Sequence, residues 1–250
     1  MRGISGIFLI LAAVGAAHAN GERRAPPSWA NPRPAAAPPP QIILDPGHGG
    51  EDLGAVVHGK KEKDIALSVA RRLQALLAET GGAAARLTRD SDVFLPLDER
   101  VSSSLLWGGK AFISLHVNEI RHKKMSGMTV YAYGRSKSYH RDRRRKHKVA
   151  PLAPPPRAQA MESAAFASVV ARNLREEGLK VDPPGRAEFY VLKNPAIPSI
   201  LIELGYLSNP AEAKSLQDPA YQDRLARTIA SAVREYLDGT ERVPPGVAAR

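Results

Sequence analysis

The chain has 250 residues, 43% of them apolar, and no cysteine. That composition excludes disulfides, thiol nucleophiles and cysteine-held metal, so any metal falls to His, Asp or Glu. The formal charge of +11 points to an anionic partner: an acidic polymer, a membrane surface or nucleic acid.

The first predicted element is a leader. Arg2 precedes the apolar run Ile7–Ala17, and Ala17-His18-Ala19 fits a small-x-small cleavage pattern, so residues 1–19 read as a signal peptide and the protein as exported to the periplasm or cell-wall compartment. The apolar run is too short for a comfortable membrane span. Residues 20–40 are rich in Pro and Ala, lack apolar periodicity and read as a tether. One folded domain is expected over 41–238, followed by a frayed tail at 239–250.

Within that domain strands and helices alternate. Gln41–Leu44 reads as a strand, and Glu62–Glu79 as a helix with Ile65, Val69, Leu73, Leu76 and Leu77 on one stripe, stopped by Gly81-Gly82. A strand is predicted at Ala85–Thr88, a helix at Leu97–Trp107, and strands at Ala111–Leu115 and Met128–Tyr133. Residues 134–157 form a basic, Pro-rich insertion: Gly134–Lys148 carries Arg135, Lys137, Arg141, Arg143, Arg144, Arg145, Lys146 and Lys148 against Asp142 alone. It reads either as a solvated loop or as an electrostatic handle for an anionic polymer or acidic partner. A helix at Ser163–Glu177, strands at Phe189–Leu192 and Ser199–Ile202, and a final helix at Pro219–Leu237 complete the pattern. The predicted fold is α/β, with a mainly parallel twisted sheet of about six strands and helices on both faces.

In such sheets ligands bind beyond the carboxyl ends of the strands. His48 lies just past the first strand, in "ILDPGHGG"; His116 ends "AFISLH"; Glu203 ends "SILIE"; Glu62 opens the first long helix. Gly47, Gly49 and Gly50 are expected to let the loop turn and aim His48. Each residue also has a plainer role available. His48 suits a hydrogen-bonded structural group, Glu62 a helix-dipole partner and His116 a core edge. Glu203 is harder to place structurally, because an unpartnered carboxylate after Ile200-Leu201-Ile202 would cost about 2–7 kcal/mol. Together the four suggest a His/Glu/His zinc site with one open position and a second glutamate beside it.

The segments "IILDPGHGGEDLGA", "GKKEKDIALSVARRL", "RLTRDSD", "DERV", "AFISLHVN", "SGMTVYAY" and "FYVLKNPAIPSILIELGYLSNPAEAKSL" follow one another in that order. In this the chain resembles the zinc-dependent N-acetylmuramoyl-L-alanine amidases, peptidoglycan hydrolases of cell separation and spore lysis. The resemblance implies one zinc held by His48, Glu62 and His116, with Glu203 as the catalytic glutamate and Asn118 lining the substrate cleft. It implies peptidoglycan as substrate, a protein activator as a partner, no nucleic acid, and a monomer. Two departures stand out. The family's acid before "FIS" is replaced by Lys110, and the insertion at 134–160 holds only Asp142 as an acid, which argues against a plug helix carrying a glutamate. Two other readings remain open here: an inactive amidase-like module that binds peptidoglycan or a partner, and a nucleic-acid-binding or charge-anchoring module built on "RDRRRKHK".

Overall fold

The computed structural model describes residues 39–79, 81–120, 124–135 and 151–241. The expected leader, the tether up to residue 38, the charged core of the insertion at 136–150 and the tail from 242 lie outside the described residues.

β1 (Gln41–Pro46) is buried along all but its first residue, the pattern of a strand covered on both faces. It pairs in parallel with β4 (Ala84–Leu87) on one side and β5 (Ala111–Asn118) on the other. β8 (Ser199–Tyr206) continues the parallel ladder beyond β5. β6 (Thr129–Tyr133) then runs antiparallel to β8, and the short β7 (Gly185–Ala187) pairs with β6 in parallel. The order β4-β1-β5-β8-β6-β7 gives the six-stranded, mainly parallel sheet that the alternation predicted. A two-residue hairpin, β2 (Val56–Val57) with β3 (Lys60–Lys61), follows the loop that leaves β1.

Helices cover both faces, unequally. α1 (Glu62–Glu79), α3 (Arg157–Glu176) and α5 (Pro219–Glu241) pack on one face. Their apolar stripes, including Val69, Leu73, Phe166, Val170, Ile229 and Val233, close on Ile42, Leu44, Ile113 and Ile200. The other face carries a smaller core of Ile43, Phe112, Val191, Leu192, Ile197 and Leu201, beneath α2 (Leu97–Leu106) and a 3-10 turn at Tyr190–Leu192. The short α4 (Pro210–Ser215) follows β8, capped by Asn209. Among the described residues no helix is long and apolar enough to cross a membrane.

Several boundaries differ from the sequence reading. Phe189–Leu192 is a 3-10 turn rather than a strand: its aromatic and branched residues are there to fill the smaller core, a demand a short turn meets as well as a strand. α3 begins at Arg157, immediately after Pro156, well before the expected Ser163. α5 runs to Glu241, past the expected end at Leu237. β5 and β8 extend beyond their apolar runs, so His116 and Glu203 lie within strands rather than at their ends.

Candidate active site

The sheet register itself assembles the site. In the parallel ladder between β5 and β8, His116 stands directly opposite Glu203. β1 delivers His48 on the turn just past its end, and Glu62 is the first residue of α1, reached through the β2–β3 hairpin.

These residues meet. Glu62 Oε1 lies 3.1 Å from His48 Nε2 and 2.8 Å from His116 Nδ1. The two imidazoles stand edge to face with centroids 4.9 Å apart. One donor atom from each of His48, Glu62 and His116 falls within 4.8 Å of the others. Glu62 is fixed by the backbone: Val117 N donates to Oε1 at 2.9 Å and Ala55 N to Oε2 at 2.8 Å. His48 is oriented by Asp52, whose Oδ2 sits 2.8 Å from Nδ1, leaving Nε2 for the cluster. Glu203 Oε2 is buried beside them with no hydrogen-bond partner among the described residues.

The electrostatics are those of a site short of positive charge. Burial disfavours a charged His48, but the Glu62 carboxylate and the Asp52 bond outweigh it and push the imidazole up to about 10. Burial would raise Glu62, yet the charge of His48 and hydrogen bonds from both histidines hold it well below the usual carboxylate range. Burial, and then the charge of Glu62, push Glu203 up to about 8. A buried carboxylate that draws a proton onto a neighbouring imidazole, next to a second carboxyl with an orphaned oxygen, is a donor set that a divalent cation satisfies.

The loop that carries His48 works differently from the sequence expectation. Gly49 and Gly50 do take left-handed backbone, with φ of 129° and 58°. His48 itself is also left-handed, at φ 59°. Gly47 is not left-handed. Its role is room: a Cβ there would lie 2.3 Å from His116 Cε1.

Residues behind the loop hold it, and the sequence reading gave them no role. Arg89 Nε donates to Pro46 O (2.9 Å), and its Nη2 donates to Gly47 O (2.7 Å) and Lys63 O (2.9 Å). Arg100 Nη1 donates to Pro46 O and to Asp45 Oδ1, and Nη2 to His48 O, each at 2.8 Å. Asp45 is fully buried and is also bonded by Thr88 and Ser114. Lys63 Nζ ties Gly50 O to Asp92. The signal for these residues was an aspartate at the end of a fully apolar strand, which needed a buried cation somewhere in the chain.

Asn118 is the last residue of β5, past a register shift that follows His116, and its carbonyl accepts from Leu207 N at 2.8 Å. The structure thus brings His48, Glu62, His116 and Glu203 into one cluster and leaves Asn118 at the strand end beside it.

Comparison with known proteins gives a consistent answer. A family described as N-acetylmuramoyl-L-alanine amidase (Amidase_3) matches residues 42–235. N-acetylmuramoyl-L-alanine amidase AmiC of Escherichia coli O6:H1 is 32% identical over 248 residues, covering 86% of this chain. This chain spans only 58% of the length of that relative. The solved N-acetylmuramoyl-L-alanine amidase AmiC2 of Nostoc punctiforme superposes with a TM-score of 0.66 at 30% identity, covering 80% of this chain and 97% of that one. The CwlD amidase of Clostridioides difficile, solved in complex with the GerS lipoprotein, superposes with a TM-score of 0.64 at 27% identity, covering 80% of this chain and 99% of that one.

Proposed function

We propose, from the premise that this chain belongs to the N-acetylmuramoyl-L-alanine amidase family Amidase_3, that it hydrolyses the amide joining the lactyl group of N-acetylmuramic acid to L-alanine in peptidoglycan, using one zinc ion. The observation that carries the reading is the convergence of His48, Glu62 and His116 beside the orphaned oxygen of Glu203. Two imidazoles and one carboxylate, with a position left open, make a catalytic rather than a structural zinc set.

In this reading His48, Glu62 and His116 hold the ion, and Asp52 fixes the His48 ring so that Nε2 faces it. Bound zinc would act there as a Lewis acid, acidifying water and stabilising the negative charge that develops on the amide oxygen. Glu203 handles the protons. Its carboxylate, buried beside the cluster with one oxygen unbonded, accepts one from the attacking water and delivers it to the leaving nitrogen of L-alanine. No covalent intermediate with the chain is needed, which agrees with the absence of cysteine. Asn118, at the end of β5, is the proposed substrate contact. Action outside the inner membrane, a monomeric enzyme and control by a protein activator belong to the same proposal, the last supported by a relative solved with a lipoprotein.

The test is chemical. Glu203→Gln should keep zinc and fold and lose activity by at least about 10²-fold, the usual scale for a positioned general base. Digested sacculi should yield free lactyl groups and new L-alanine amino termini. Reducing sugar ends instead would mean a glycosidase, and an inactive wild type that still binds sacculi would favour the binding-module alternative.

A further inference from the structure

We propose that Arg100 is a positioning residue for the metal site, holding His48 in the left-handed turn that aims its ring. The inference rests on the reading of His48 as a ligand and extends it to a residue on another element.

The geometry is specific. β1 ends where Gly47 N donates to Leu115 O, at 2.9 Å. Beyond that bond the carbonyls of Pro46, Gly47 and His48 all accept from guanidinium groups. Arg89 takes the first two and Arg100 the first and third, so Pro46 O is shared. Arg100 is 2% exposed and uses the whole fork: Nε to Leu95 O, Nη1 to Asp45 Oδ1 and Pro46 O, Nη2 to His48 O. Asp45 supplies the counter-charge and is held by Thr88 and Ser114. The bond to His48 O matters most. His48 is a non-glycine residue at φ 59°, a conformation that persists only where surrounding contacts over-determine it. Asp52 sets the rotation of the ring, but the backbone from which the ring projects is set by Arg100.

A lysine could neutralise Asp45, but a single ammonium cannot reproduce a planar fork with fixed donors. The experiment therefore compares wild type with Arg100→Lys, both stripped of metal, by zinc titration against a chromophoric chelator and by the visible spectrum of the cobalt-loaded protein. Arg100→Lys should bind zinc about 10–100-fold more weakly, the usual cost of losing a group that orients a ligand. Its cobalt bands should shift, because the His48 ring sits differently. Equal affinity with an unchanged spectrum would overturn the proposal. A wild type that binds no zinc would overturn the metal reading instead. Should Arg100→Lys fail to fold, the neutral double variant Asp45→Asn/Arg100→Gln is read the same way. A measurement on wild type alone closes the case. If Arg100 fixes His48 for the ion, the ion must reciprocally fix Arg100. The Nη protons of Arg100 should then exchange more slowly with zinc present, and exchange that zinc leaves unchanged would also overturn the proposal.

Discussion

Gly47 and Gly54 provide space for the cluster. A Cβ on Gly47 would collide with the His116 ring, and one on Gly54 would lie 2.6 Å from Glu62 Oε2 and 2.7 Å from His48 Cδ2. Gly47 has no left-handed backbone to forbid alanine, so Gly47→Ala tests the steric role cleanly. It should displace His116 and cut activity by about 10²-fold, the scale of a displacement near 1 Å at a reacting centre, while the melting temperature changes little. Turnover and a thermal melt on the same preparation check this; full activity would show that the ring has somewhere else to go. At this scale the sequence was legible where a polar side chain follows an apolar run or opens a helix. His48, Glu62, His116 and Glu203 could each be named because a metal-competent or titratable side chain interrupts an apolar run or opens a helix. The partners were not legible. Asp52, Arg89 and Arg100 act across gaps of 4 to 55 residues by bonds to particular atoms, and no periodicity encodes such a bond. The conformation of His48 was hidden too. A left-handed non-glycine residue costs about 1 kcal/mol or more, and only the arginines behind it explain why it is tolerated.

Among the elements, β8 shows what apolar patterning finds and what it misses. Ile200-Leu201-Ile202 form a continuous apolar run after Ser199, and the apolar pattern predicts a strand that stops before Glu203. It runs on because β6 supplies ladder partners as far as Glu203 and β5 as far as Tyr206, a tertiary fact that no local window contains. Register is what places Glu203 opposite His116, since a slip of one residue would turn it to the opposite face. α4 was missed for a related reason, being too short to show a stripe. Its start is nonetheless well specified. Asn209 Oδ1 accepts from Ala211 N and Glu212 N, and Asn209 Nδ2 donates to Met125 O at 3.1 Å. The helix then presents Glu212 to two backbone amides, Gly127 N at 2.7 Å and Tyr206 N at 2.8 Å, tying the start of β6 to the end of β8. Asn209→Ala should lower stability by about 1 kcal/mol, the typical value of such a cap, and Asn209→Ser should recover most of it. Urea midpoints for the three proteins decide the matter, and an alanine variant as stable as wild type would deny the cap any role.

For the molecule as a whole, the fold class and the two-sided helical cover were readable from alternation alone, while the edge strand formed at Gly185–Ala187 instead of at Phe189–Leu192. What alternation could not reveal was the inequality of the two faces, or the buried ion pair that stands where the thinner face meets the site. Asp45 gives that pair a pH signature. Burial alone would raise its pKa, but the charge of Arg100 and the hydroxyls of Thr88 and Ser114 hold it below the ordinary 3.8. A carboxyl depressed in the folded state adds stability above its unfolded pKa and gives it up as pH falls through the folded value. Asp45→Asn should therefore be less stable than wild type at neutral pH, and the difference should narrow below about pH 4. Denaturant melts at a series of pH values measure it, and a gap that persisted undiminished to about pH 2 would contradict the assignment.

The layer that carries Arg100 is thin. Of α2 only Arg100, Val101 and Ser104 are buried, while Leu105 and Leu106 face solvent. Elements with so little apolar anchorage open locally at a small fraction of the free energy needed to unfold the sheet. The amides of α2 will consequently trade hydrogen for deuterium on a faster clock than those of β1, β5 and β8. Each such excursion lifts a guanidinium off the carbonyl of His48. The lifetime of the His48 turn is thus set by a weakly anchored helix, and a change that thickened the α2 layer would lengthen it.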